Sequence, residues 1–191
     1  VILGGRLGYV LFYQTSTFIL NPIGILYIWK GGMSFHGGLI GIIIAIYFFS
    51  IKKSVNFLQL SDLVSRVAPI GLFFGRLANF INVELYGRVT DFSFSMIYPT
   101  IDQLPRHPSQ LYEAFFEGIV LFVILNYFNK ENYNKNNFGH ITSLFLILYG
   151  IFRFLIEFLR EPDVHIGLLF KLISMGQLLS IPLVFLGVAI Y

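Results

Sequence analysis

The chain has 191 residues, of which 56% are hydrophobic and only 12% charged, with a mean hydropathy of +0.75. A water-soluble domain carries about 25% charged residues to cover its surface, so this composition excludes an ordinary soluble fold. The formal charge is +3, but no stripe of basic residues interleaved with aromatics is present; nucleic acid is not an expected partner, and lipid phosphate is the anion such a chain would meet. With no cysteine, disulfides, thiolate metal sites and a cysteine nucleophile are all excluded.

The apolar residues come in long runs, and about 20 residues carry a helix across a hydrocarbon core of roughly 30 Å. In chain order the runs are Val1 to about Tyr13, Met33–Ile51, Leu58 to about Ile81, Leu111–Phe128, Phe138–Leu159 and Leu172–Ile190. They are continuous rather than alternating, which favours helices over a closed barrel. The expected fold is therefore all-α, a polytopic transmembrane helical bundle of about six spans, in a single domain over residues 1–191. Val1 already lies inside an apolar run, so a preceding span is expected before it.

Two long connections, Gln14–Gly32 and Asn82–Gln110, alternate with two short ones, Lys52–Phe57 and Asn129–Asn137. Long loops on one face of a rigid scaffold are where binding residues gather. Lys52, Lys53, Lys130 and Lys135 lie in the short connections, and the positive-inside rule leans toward placing these in the cytoplasm. Lys30, Arg88, Arg106, Arg160 and Lys171 on the other side keep that a lean only.

Chemistry-bearing residues fall in four clusters. The first is GGMSFHGGLIG, Gly31–Gly41, where His36 opens a span among glycines. Histidine suits proton acceptance near neutral pH, and the glycines permit close approach of backbone or lipid; a merely interfacial histidine is the alternative. Asp62 and Arg66, four apart in the next span, read as a structural pair. Arg6, in GGRLGY, is ambiguous.

The second cluster is the most informative: Gly75–Thr90, GRLANFINVELYGRVT, at the end of a span. Arg76 is followed by Asn79 and Asn82 at i+3 and i+6, then by Glu84, Gly87 and Arg88. A guanidinium matches phosphate with a fork of donors, and an arginine within a span is costly enough to imply a role. The alternative is a snorkelling Arg76 beside a plain Glu84–Arg88 ion pair. The third cluster, RHPSQLYEA, Arg106–Ala114, enters a span; Ser109 reads as a helix cap and Tyr112 as part of an aromatic belt. The fourth is RFLIEFLREPD, Arg153–Asp163, with Arg153, Glu157 and Arg160 on one helix face. It is either a structural triad or an arrangement in which Glu157 holds one arginine while Arg153 reaches a ligand phosphate. Alternating span directions put all four clusters on one membrane face, which points to a single site rather than scattered snorkelling. A transporter for a small anion would be expected to show internal repeats and midplane polar sites, and a purely structural membrane protein would not gather these groups at one end.

Together these stretches resemble prolipoprotein diacylglyceryl transferase. Gly75–Arg88 matches that family's G-R-x-G-N-F-I-N-x-E-x-x-G-R with one departure, Ala78 for glycine, and FHGG, RHPSQLYEA, RFLIEFLREPD and MGQLLSIP (Met175–Pro182) are of the family type. The resemblance spans essentially the whole chain. The family normally has seven helices and a longer N-terminus, which fits a first span preceding Val1. It implies transfer of the diacylglyceryl group from phosphatidylglycerol to the lipobox cysteine thiol of a preprolipoprotein, giving a thioether and glycerol 1-phosphate, on the outer face of the bacterial inner membrane. In that chemistry Arg76 and Arg153 would stabilise the leaving phosphate. His36 would take the thiol proton, and Asn79, Asn82, Glu84, Gly87, Arg88, Glu157 and Arg160 would orient those groups or bind the headgroup. No cofactor and no metal are expected.

Overall fold

All six expected apolar runs are helical in the computed structural model, which describes residues 1–12, 22–132, 137–162, 168–169 and 173–191. Tyr13, Gln14, Lys135, Asp163, Lys171 and Leu172, named in the sequence reading, lie outside the described residues. The helices are α1 (Ile2–Phe12), α2 (Phe35–Lys53), α3 (Phe57–Ile81), α4 (Ser109–Glu113), α5 (Leu121–Asn132), α6 (His140–Ile156) and α7 (Met175–Ile190). A π-helical turn, Ala114–Val120, joins α4 to α5 without a break. Among the described residues three stretches are long and apolar enough to cross a membrane: His36–Lys53, Phe57–Ile81 and Ser109–Asn129. The other three apolar helices are shorter, 10–17 residues.

The burial pattern is inverted relative to a soluble protein. Gln110, Glu113 and Glu117 are fully buried, whereas Leu3, Phe74 and Phe185 are exposed. That arrangement is favourable when the surrounding medium is hydrocarbon, where apolar side chains face out and polar groups must satisfy one another.

Contacts divide the chain into two compact units, Val1–Leu60 and Ser61–Tyr191. In the first, α1 packs on α2 through glycines: a Cβ at Gly4 or Gly8 would strike the backbone of Gly37, and one at Gly37 would strike that of Gly4. Helices without a hydrophobic driving force between them associate through such small-residue faces. Arg6 is buried here and donates to backbone carbonyls, among them Ile25 (2.9 Å), Gly24 (2.7 Å) and Gly31 (2.6 Å). It organises the connection that follows α1. Ser34 caps α2 by accepting from the Gly37 amide at 3.3 Å, and Lys52 and Lys53 lie in its last turn, where cations favour the helix dipole.

In the second unit, Leu121, Leu125 and Ile141 form a small apolar core against Leu148 and Phe152. Helices α6 and α7 pack through Gly150 against Val184 and through Gly187 against Ile147, and Ser143 Oγ donates to the Gly187 carbonyl at 2.7 Å. Helix α6 has no cap of its own, since Gly139 with φ 94° precedes it. Asp62 on α3 supplies one from outside, accepting from the Gly139 amide (2.8 Å), the Thr142 amide (2.7 Å) and the Thr142 hydroxyl (2.7 Å). Arg66 meanwhile donates to Asn126 on α5 at 3.2 and 3.3 Å. The expected Asp62–Arg66 pair is thus replaced by two cross-helix contacts, because orphan amides at a helix start are the stronger claim on a carboxylate.

Candidate active site

The site lies in the second unit and is built from four helical segments. Arg76 sits near the end of α3, Glu113 ends α4, Glu117 lies in the π turn, and Arg153 occupies the last turn of α6. Helices α4 and α6 and the π turn bring carboxylates and guanidiniums together. Arg76 Nε is 3.1 Å from Glu113 Oε2, and its Nη2 is 3.1 Å from Glu117 Oε2. Arg153 Nη1 pairs with the other oxygen of Glu113, Oε1. Its Nη2 lies 2.8 Å from Glu157 Oε2, which Arg160 Nη1 approaches at 3.6 Å.

Three guanidiniums therefore face three carboxylates, and the cluster is charge-balanced. Burying unpaired charge here would be prohibitive, and this interleaving is what allows it. The carboxylates of Glu113 and Glu117 are sealed from solvent, while the Arg76 and Arg153 side chains keep 15% and 11% exposure. The acids are the more deeply buried partners of the cluster. Neither pairing engages Nη1 of Arg76 or Nε of Arg153.

The first turn of helix α7 packs against the site. Ser174 and Gln177 form a reciprocal capping box (3.2 and 3.0 Å), and Gly176 in that first turn packs directly on the Glu157 carboxylate. A helix start, with its partial positive charge, is a favourable neighbour for an anion; a side chain at position 176 would push it away.

Asn82, Glu84, Gly87 and Arg88 lie in the loop that follows α3. Backbone hydrogen bonds join Gly87 to His107 (3.0 Å), Arg88 to Leu159 (2.9 Å) and Glu161 to Tyr86 (3.2 Å), so residues 86–90 run between residues 105–107 and 159–161. Gly87 is buried, and a Cβ there would collide with the His107 carbonyl, which explains the glycine in the motif. Arg88 does not pair with Glu84: its Nε donates to the Arg160 carbonyl at 2.9 Å. Glu84 instead accepts from Asn79 Nδ2 at 2.9 Å, and Asn82 is exposed at the end of α3.

Glu84 lies between Val83 and Leu85, both at φ 57°. Left-handed backbone at a β-branched residue is costly, so the surroundings must impose it. Gln110 Nε2 donates to the Glu84 carbonyl (2.7 Å) and Ser109 Oγ to the Leu85 carbonyl (3.0 Å). Ser109 is therefore a loop pin rather than the helix cap the sequence suggested. Tyr112 reaches His107 Nδ1 at 3.4 Å.

Arg106 is structural, bound to Asp102 (2.6 Å), to Glu161 (3.2 Å) and to the Gly87 carbonyl (3.1 Å). The hydrogen bonds from Arg106 hold the Asp102 carboxyl below the usual carboxylate range. His36 belongs to the first unit, exposed on the first turn of α2.

Of the predicted site, the structure thus joins Arg76, Arg153, Glu157 and Arg160 directly, with Asn79 in the last turn of α3 and Glu84, Gly87 and Arg88 in the loop that follows. The sequence reading missed Glu113 and Glu117. Both are acids inside an apolar run, four apart, and that cost alone is the signal that could have found them.

Comparison with known proteins agrees with this architecture. A family model for prolipoprotein diacylglyceryl transferase matches residues 1–191. The chain belongs to that family. Relatives named phosphatidylglycerol–prolipoprotein diacylglyceryl transferase include those of Rickettsia akari (57% identical), Rickettsia felis (55%) and Rickettsia bellii (56%), each covering 98% of this chain and 72% of the relative. The family match extends over both arginine-bearing helices and the loop between them, so the cluster just described belongs to the matched region.

Proposed function

We propose that this chain transfers the diacylglyceryl group of phosphatidylglycerol to the lipobox cysteine of a prolipoprotein, with Arg76 and Arg153 as the cationic centre. The observation that carries the reading is their meeting on Glu113, from two separate helices, with the residual exposure left to the cations. The bond to break joins the lipid's glyceryl carbon to a phosphate oxygen, and the bond to form joins that carbon to the cysteine sulfur. Negative charge grows on the departing glycerol phosphate. Fixed guanidiniums in a low-dielectric site stabilise that charge without reorganising. The buried carboxylates keep both arginines ionised and aimed before the lipid arrives.

The thiol must lose its proton to attack. His36 is the proposed acceptor, and Asn79, Glu84, Arg88 and Arg160 are proposed to shape the headgroup pocket and its loop. Lipid reaches the site from the bilayer, on the outer side of the inner membrane.

Transfer from phosphatidylglycerol vesicles to a lipobox peptide, followed by glycerol 1-phosphate release, tests the centre. Arg76→Ala should lose at least about a hundredfold, on the scale of removing one charge-stabilising donor. Near-normal transfer by a folded Arg76→Ala protein would end the assignment. His36→Gln should slow transfer most at the acid end, where the thiol is protonated; an unchanged pH profile removes His36 as the base.

A further inference from the structure

Between α3 and α4 the chain forms a short antiparallel hairpin, β1 (Met96–Ile97) pairing with β2 (Pro105–Arg106). Its inner side is firmly held. Tyr98 is buried, donates its hydroxyl to Gln110 Oε1 at 3.2 Å, and packs near the rings of Phe80 and Tyr86. Arg106 ties the base through Asp102 and Glu161 and lies over the Tyr86 ring. The rest of the arm carries exposed apolar side chains. Phe92, Phe94, Met96, Ile97, Ile101 and Leu104 are all exposed, Phe94 at 73% and Ile97 at 52%.

Isolated exposed apolar residues need no explanation, but a contiguous group marks a surface that meets something apolar. This group cannot collapse inward, because Tyr98 and Arg106 already fix the inner face. The occupant must be external. Both ends of the connection are membrane-spanning helices: it leaves α3 at Ile81 and enters the next span at Ser109. The apolar medium continuous with both ends is the lipid leaflet itself. Residues 89–104 carry no basic side chain and two acids, Asp91 and Asp102, so attraction to anionic headgroups plays no part and burial of apolar area is the driving force.

We infer that the 92–104 arm is an interfacial anchor, with Phe92, Phe94, Met96 and Ile97 immersed at the headgroup–acyl boundary of the leaflet at the end of α3. The anchor holds the loop that carries Glu84 and Gly87 against the bilayer. Its chemistry is that of an apolar lipid-dipping hairpin, indifferent to lipid charge. It is independent of which group is transferred.

The test uses the full chain in vesicles of phosphatidylcholine alone and of phosphatidylcholine with phosphatidylglycerol. Trp29 is the sole tryptophan, so Trp29→Phe with Phe94→Trp places one fluorophore on the arm. Blue-shifted emission is expected, quenched severalfold more by brominated acyl chains than by aqueous iodide, and equally in both vesicle types. Red emission quenched by iodide and not by brominated lipid would overturn the anchor. So would a blue shift that appears only on adding a lipobox peptide with its apolar segment, since that makes the arm a peptide-binding surface. Ile97→Trp in the same background repeats the measurement if Phe94→Trp fails to fold. Transfer activity is not the readout, so failure of the anchor and failure of the proposed reaction are separable.

Discussion

Arg76 and Arg153 flank opposite oxygens of one carboxylate: Glu113 Oε1 accepts a hydrogen bond from Arg153, while Oε2 is ion-paired with Arg76 Nε at 3.1 Å, Arg76 donating its hydrogen bonds to Glu117 Oε2. One buried acid thereby sets the spacing of two cations borne by different helices. Glu113→Gln replaces one acceptor oxygen by a donor, so one arginine must let go. A misplacement of about 1 Å costs on the order of a hundredfold in rate, so kcat should fall about 10- to 100-fold while KM for phosphatidylglycerol changes less. Glu113→Asp, which keeps both oxygens, should recover part of the loss. If the folded Glu113→Gln protein kept its kcat and lost only thermal stability, Glu113 would be structural alone.

Two glycines of the site make a graded pair. A Cβ at Gly87 would meet the fixed backbone of His107, whereas one at Gly176 would meet the end of the Glu157 side chain, which can swing. Overpacking against immobile atoms costs about 1–3 kcal/mol. Gly87→Ala should therefore lower the thermal midpoint with the smaller effect on rate, whereas Gly176→Ala should lower both, slowing transfer more because it displaces Glu157 from Arg153. Thermal unfolding in detergent alongside the transfer assay separates the two.

The loop that follows α3 should respond to pH in one direction. Asp102, outside the spans, is held below its usual range by Arg106. A carboxylate with a depressed folded value stabilises above its unfolded value, near 3.9, and that contribution is lost as pH falls through the folded value. The Asp102–Arg106 latch is thus complete from about pH 5 upward and opens below the usual carboxylate range. Amide exchange at Leu104, whose N–H donates to Asp102 at 3.1 Å, should stay slow from pH 5 to 8. Asp102→Asn should speed it throughout that window.

Much of this was legible from local pattern. The runs of apolar residues located the α-helices of the described residues, because the length needed to cross a bilayer is written in consecutive residues. Arg76 and Arg153 stood out because ionised groups in a span are expensive. Partnership was not legible. Asp62 and Arg66 are four apart and read as a pair, yet each reaches a different helix, since the amides of α6 and the amide of Asn126 are contacts set by packing. Ser109 sat where a cap belongs, but the strained Leu85 carbonyl claims its hydroxyl. The alternative reading of Arg88 as Glu84's partner also fails, since Arg88 binds the Arg160 carbonyl instead. Each miss is a contact of large sequence separation winning over a near neighbour.

That independence of Asp62 and Arg66 can be measured. Asp62→Ala strips the start of α6 of its external cap, and loss of such caps costs about 0.5–2 kcal/mol. Arg66→Ala removes only the bonds to Asn126 and should cost less. If the two residues act on different helices, their effects should add within about 0.5 kcal/mol in the double variant. Thermal or denaturant unfolding of all four proteins gives the cycle, with amide exchange at Gly139 and Thr142 rising only where Asp62 is lost. A coupling well above that limit would restore the ion pair and remove Asp62 from its place as the cap of α6.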